Sequence, residues 1–136
     1  MEYHPFAAGF AADVARRDPQ RLSAALTETV RMRALLPGGP IEALGRDNVA
    51  SCLCALFADF DSVEVVESAA EAVGDKLLIH YRLHLGREAI RWVCTQTAVC
   101  RLVDERLAVI DMLCSGFREI KSHDDVSAPP GASLVR

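Results

Sequence analysis

Asp111 is the residue whose type and surroundings point most directly to chemistry. It stands in Leu107-Ala108-Val109-Ile110-Asp111-Met112-Leu113-Cys114, a run apolar on both faces. A carboxylate in such a strand is costly unless it is paired or sits at a mouth. Held there, it is fitted for general acid or base work. The structural alternative is an ion pair with Arg33, Arg91 or Arg101, or a turn cap at a rim. Tyr81 is the second catalytic candidate. It lies among aliphatics, where its hydroxyl either donates to a ligand carbonyl or is satisfied inside the core. Gln96 reads as a buried amide, and buried amides need partners. A ligand is one such partner and a neighbouring backbone group is another. Trp92 shares a strand face with Gln96 and would wall a pocket, with Met32, Phe57 and Ile79 completing its lining.

Other reactive types fall away on geometry. His80 and His84 share a strand face but lie ~13 Å apart, so one zinc ion cannot take both. They belong, with Arg82, to an outer face, and no metal site is expected. Cys52 and Cys54 stand two apart on a helix and face different ways. The five cysteines (52, 54, 94, 100 and 114) form no CxxC pair. They read as reduced, mostly buried thiols of a cytoplasmic protein. Gly38-Gly39 lacks the Lys-Ser/Thr of a phosphate loop, and Ser115 is not in a GxSxG elbow. His123-Asp124-Asp125 reads as a solvated stretch, and Arg31 and Arg33 as a solvated strand face. No cofactor motif is found.

Three consecutive strands must position these residues: 76–85, 89–103 and 107–114. Gly86-Arg87-Glu88 and Asp104-Glu105-Arg106 connect them, and links this short permit only antiparallel neighbours. Alternation then sorts the side chains. Leu77, Ile79, Tyr81, Leu83 and Leu85 face inward from the first strand. Trp92, Cys94, Gln96, Ala98, Cys100 and Leu102 do so from the second. Upstream, Phe6, Phe10 and Val14 recur every four residues, predicting a helix over 5–17. Asp18-Pro19 caps and starts a second, short helix carrying Leu22, Ala25 and Leu26. The period then changes to two, giving a strand over 29–35. Pro37-Gly38-Gly39-Pro40 reads as a turn or loop. Val49, Leu53, Leu56, Phe57 and Phe60 make the wide apolar stripe of a third helix over 47–60, read as the main helix across the sheet. Residues 62–73 form a further strand, with Gly74-Asp75 as its hairpin turn. From 119 the composition turns to Ser, Asp and Pro-Pro-Gly, which predicts a flexible tail over 119–136.

The 136 residues suit one domain, and 51% hydrophobic residues suffice for a core. Fifteen basic against 19 acidic residues leave a net charge of −4, with no basic stripe, so a nucleic-acid partner is disfavoured. No apolar run reaches the length of a membrane span, and the N-terminus carries no secretion signal.

Helix, helix, strand, helix, then a long meander: this order resembles the nuclear transport factor 2-like superfamily, in particular its SnoaL-like branch. The residues that carry the likeness are Asp18-Pro19-Gln20-Arg21-Leu22, Val30-Arg31-Met32-Arg33 leading to Leu36-Pro37-Gly38, and Gly45-Arg46-Asp47-Asn48-Val49. It covers roughly 5–118, and the domain is set at 1–118. The resemblance implies an α+β fold: a cone-shaped, curved antiparallel sheet wrapped around about three helices, a cystatin-like roll with an apolar pocket at its open end. It implies either a cyclase, isomerase or hydrolase acting on a small apolar molecule, or a non-catalytic ligand-binding or dimerisation module. Some members use an acid on a late strand, the position of Asp111. Many are homodimers joined through the outer face of the sheet.

Overall fold

The computed structural model describes residues 3–121. The four-residue recurrence of Phe6, Phe10 and Val14 becomes helix α1, Tyr3–Arg16, which buries Ala7, Phe10, Ala11 and Val14. Asp18 caps α2, Pro19–Ala24, its carboxylate accepting from the Gln20 and Arg21 amides at 3.1 and 3.2 Å. The chain then enters β1, Leu26–Leu36, turns at Pro37-Gly38, and returns as β2, Gly39–Leu44. Helix α3, Arg46–Ala55, follows. The meander is β3, Ser62–Val73; β4, Lys76–Arg87; β5, Ile90–Val103; and β6, Arg106–Cys114. A two-residue strand β7, Arg118–Glu119, pairs with β5. Most of the tail expected over 119–136 lies outside the described residues, from 122 onward.

The sheet runs β2-β1-β6-β5-β4-β3. The four meander strands pair antiparallel, as their short links require. Asp104 and Glu105 both stand at positive φ, 52° and 64°, which matches a two-residue type I′ hairpin turn. The expectation of a wholly antiparallel sheet needs one correction: β1 pairs with β6 in parallel. No short link joins those two strands. The whole of β2, α3 and β3–β5 intervenes, so the connection sets no antiparallel rule. Register shifts interrupt β1/β6, β3/β4 and β5/β6. Such bulges bend strands, and the sheet curls without closing.

Two further expectations are revised. Gly39 and Pro40 belong to β2, not to a loop. Proline is tolerated there because β2 is an edge strand. The third helix stops at Ala55 and not at 60. Beyond it the amides of Phe57 and Phe60 bond to Cys54 and Phe57 carbonyls, three residues back, in tightened turns. Phe57 and Phe60 stay buried all the same. Arg17, itself at φ 53°, donates to the carbonyls of Phe57 and Phe60 and so fastens this segment to the end of α1. The helix lying on the meander is α1, packed against β3 and β4, while α3 packs on α2, β1 and β2.

Candidate functional site

Alternation along the strands sorts side chains as expected. Leu77, Ile79, Tyr81, Leu83 and Leu85 of β4 are buried, as are Cys94, Gln96, Ala98 and Cys100 of β5. From β1 the inward set is Leu26, Val30, Met32 and Ala34, and from β6 it is Leu107, Ile110, Met112 and Cys114. Of the expected pocket lining, Met32, Phe57, Ile79 and Gln96 are fully enclosed, and Trp92 is half-buried.

Tyr81 and Gln96 face each other in the β4/β5 register. The phenol donates to Gln96 Oε1, inside the protein. Burial pushes the Tyr81 pKa well above its ordinary value, so the group stays a neutral donor. Its ring packs on Phe10 with centroids 6.2 Å apart. The other end of the amide, Gln96 Nε2, donates to Cys114 Sγ at 3.4 Å, and Cys94 Sγ lies 3.7 Å from the same sulfur. The interior thus holds a four-residue polar chain, Tyr81–Gln96–Cys114–Cys94. The sequence singles out Tyr81 and Gln96, whereas Cys94 and Cys114 read from it only as core thiols. The signal available was the inward parity of Cys94. Its partner could be found only from strand register.

These sulfurs share one hydrogen bond. The Cys94 thiol beside it, against the opposing effect of burial, lowers the Cys114 pKa to about 6, and Gln96 and the Gly116 backbone act in the same sense. Cys94 moves upward, through its bond to Cys114 and through burial. Burial, followed by the Asp111 charge, pushes the Cys100 thiol up to about 12.

An aromatic lip adjoins this chain. Phe60 meets Trp92 edge-on at 5.3 Å and Phe117 at 4.9 Å, and Phe117 lies 5.9 Å from Phe57. The Arg87 guanidinium stands over Trp92 at 5.3 Å and over Phe60 at 5.8 Å. The chain reaches the lip through Gly116, at φ 74°, where a Cβ would come within 2.7 Å of Pro37.

Asp111 is not part of this interior. Its neighbours Ile110 and Met112 point inward, so alternation turns it outward, and its side chain is 42% exposed. Arg33, opposite it in the β1/β6 register, donates to it at 2.9 Å. That bond and the carboxylate charge raise the Arg33 pKa. The two proposed catalytic residues therefore occupy opposite faces of the sheet, and the buried-acid expectation for Asp111 is corrected. The run looked apolar on both faces because the outer face itself is oily: Leu113, Leu35 and Val99 are 61%, 52% and 44% exposed. A groove of about 520 Å³ runs among Leu35, Val99, Leu113 and the Arg33–Asp111 pair.

His80 and His84 also lie outward. His80 Nδ1 and Thr97 Oγ1 share a hydrogen bond of 3.0 Å, and His80 Nε2 lies 3.4 Å from Glu67. Burial, then the nearby Arg91 charge, lowers the His84 pKa. Among the described residues no group of three or more His, Cys, Asp or Glu side chains could hold a metal ion. Nor is any described helix long and apolar enough to cross a membrane.

No family model matches the sequence. No curated protein matches it either. Solved structures do. A hypothetical protein from Catenulispora acidiphila with a ketosteroid isomerase-like fold, in complex with trimethylamine, superimposes with a TM-score of 0.66 at 15% identity over 79% of this chain and 83% of its own. A protein with a cystatin-like fold from Silicibacter pomeroyi gives 0.58 at 20% identity over 82% and 74%. An LEH-like epoxide hydrolase from M. tuberculosis gives 0.59 at 16% identity over 83% and 82%. The mixed, unclosed sheet with helices on one face is thus the nuclear transport factor 2-like, cystatin-like roll, a fold that the chain shares with an LEH-like epoxide hydrolase and with a ketosteroid isomerase-like protein.

Proposed function

We propose that this chain is a non-catalytic SnoaL-like module that pairs with a second copy through the outer face of β1, β5 and β6. The observation that carries the reading is the oily outer face, with Leu35, Val99 and Leu113 exposed around the Arg33–Asp111 pair. Exposed apolar side chains gathered on one sheet face mark an interaction surface. The charge pair sits among them and would fix register between copies. On this reading Asp111 is an interface residue and not an acid catalyst. All five cysteines are free, which suits a reducing, cytoplasmic setting. Size-exclusion chromatography with light scattering tests the reading. A dimer is expected at micromolar concentration, and Leu113→Glu should convert it to a monomer. A wild-type monomer at that concentration would refute it.

The interior supports a second role, binding a small apolar ligand. Tyr81 and Gln96 supply one polar handle among buried apolar side chains, and a ligand entering past Phe60, Trp92 and Phe117 would exchange for the bond between them. The Catenulispora neighbour holds trimethylamine. Native mass spectrometry of freshly purified protein should show a bound small molecule that Gln96→Leu no longer retains.

A further inference from the structure

Cys94 and Cys114 point inward from adjacent strands, with their sulfurs 3.7 Å apart. Neither belongs to the proposed dimer face, and the ligand-binding reading does not need them as thiols. We propose that they form a reactive dithiol that a hydroperoxide closes to a reversible disulfide.

Three features of geometry support the assignment. First, the two sulfurs already touch. A disulfide needs them at about 2.05 Å, so closure needs a shift of under about 2 Å between neighbouring strands. Second, the pair is unequal. Cys94 is fully enclosed, while Cys114 keeps 8% exposure at the end of β6, beside exposed Ser115 and Phe117. Cys114 also accepts from the Gln96 amide at 3.4 Å, which stabilises its thiolate. The lowered Cys114 pKa agrees with that polarity. Third, the strand arrangement makes the bridge reversible. Gln96 is the residue opposite Cys114, so Cys94 is its diagonal neighbour. Diagonal partners span ~7–8 Å between Cα atoms, just beyond the ~4.4–6.8 Å of an unstrained disulfide, so closure must draw the two strands together and leaves the bridge strained. Such a bridge is readily reduced.

The chemistry balances without a metal or flavin. The Cys114 thiolate attacks the terminal oxygen of ROOH: an S–O bond forms, the O–O bond breaks, and the alkoxide leaves with the proton of the Cys94 thiol. The Cys94 thiolate then attacks the Cys114 sulfur. The S–S bond forms, the S–O bond breaks, and hydroxide leaves as water with the proton that Cys114 gave up on ionising. Two thiols lose two electrons, and the hydroperoxide is reduced to an alcohol and water. Closure turns the Cys114 thiolate into an uncharged disulfide sulfur, a weaker acceptor for the Gln96 amide, so the oxidised form loosens one end of the Tyr81–Gln96 chain.

The test treats the reduced, folded full chain with hydrogen peroxide, blocks the remaining thiols by alkylation in acid denaturant, and maps peptides by mass. The expected product joins the peptides of Cys94 and Cys114, is reopened by dithiothreitol, and leaves Cys100 alkylated. In Cys94→Ser, a sulfenic acid on Cys114 should be trapped by dimedone instead. If that variant does not fold, the wild-type map decides alone. Cys94 and Cys114 both recovered as alkylated thiols, at a peroxide dose that oxidises Cys52 or Cys54, would overturn the proposal. So would a bridge that forms only in denaturant.

Discussion

The two faces of the β1/β6/β5 region are built to opposite rules. Inside, polar groups are few, and four of them join in one chain from Tyr81 to Cys94. Among the described residues, Gln96 is the one buried side chain that is neither apolar, aromatic nor a thiol. Outside, charges are exposed and paired, and the aliphatic side chains between them are left open to solvent. A polar group inside is constrained because water cannot replace a lost partner. The Arg33–Asp111 pair is not, because solvent competes for both ions. Equal-looking contacts on the two faces therefore carry unequal weight.

Breaking the inner face should cost most. Phe57→Ala would open a hole beneath the lip and lower unfolding stability by about 3–5 kcal/mol, read from chemical denaturation. Gly116→Val comes next. It would force a side chain onto Pro37 at a φ of 74°, and should cost roughly 1–3 kcal/mol and shift Trp92 fluorescence as Phe117 is displaced. Tyr81→Phe leaves Gln96 Oε1 without its donor, at about 1–3 kcal/mol. The pair Tyr81→Phe with Gln96→Leu should recover part of that loss, since removing both partners leaves less unsatisfied. On the outer face, Asp111→Asn should leave the monomer's denaturation midpoint unchanged and act only on self-association. A large loss of monomer stability in Asp111→Asn would erase the contrast between the faces.

Acidity sharpens the comparison further. Unfolded, Cys94 and Cys114 titrate near the ordinary thiol value. Folded, Cys114 titrates at about 6. Between these limits the folded chain binds fewer protons, so stability should rise with pH, and this contribution should be lost as pH falls through about 6. At higher pH the raised Cys94 acts in the opposite sense. Cys114→Ser should flatten the stability profile over that window, as followed by denaturation at a series of pH values.

Much of this was legible in the residues. The parity of residues 76–103 assigned Tyr81, Gln96 and Ile79 inward and His80, Arg82 and His84 outward, and the Asp18-Pro19 cap started α2 as read. These are local rules, set by strand pleat and helix capping. What failed was also local reasoning, applied beyond its range. The apolar run around Asp111 suggests burial, yet an exposed sheet face can be equally oily, and the ion-pair alternative with Arg33 is the one the fold adopts. The Phe57 and Phe60 stripe reads as helix because buried turns can keep a helix-like spacing.

By itself, then, the sequence determined which side chains share a face, because alternation needs only the chain's own backbone. Tertiary structure decided which of those side chains meet. Only the parallel seating of β1 on β6 selects Arg33 from the three arginines on offer as the partner of Asp111. Only the β5/β6 register carries Cys94 to Cys114. Both contacts join residues far apart along the chain, and hydrogen-bonded registry between separate strands is a property no single strand encodes.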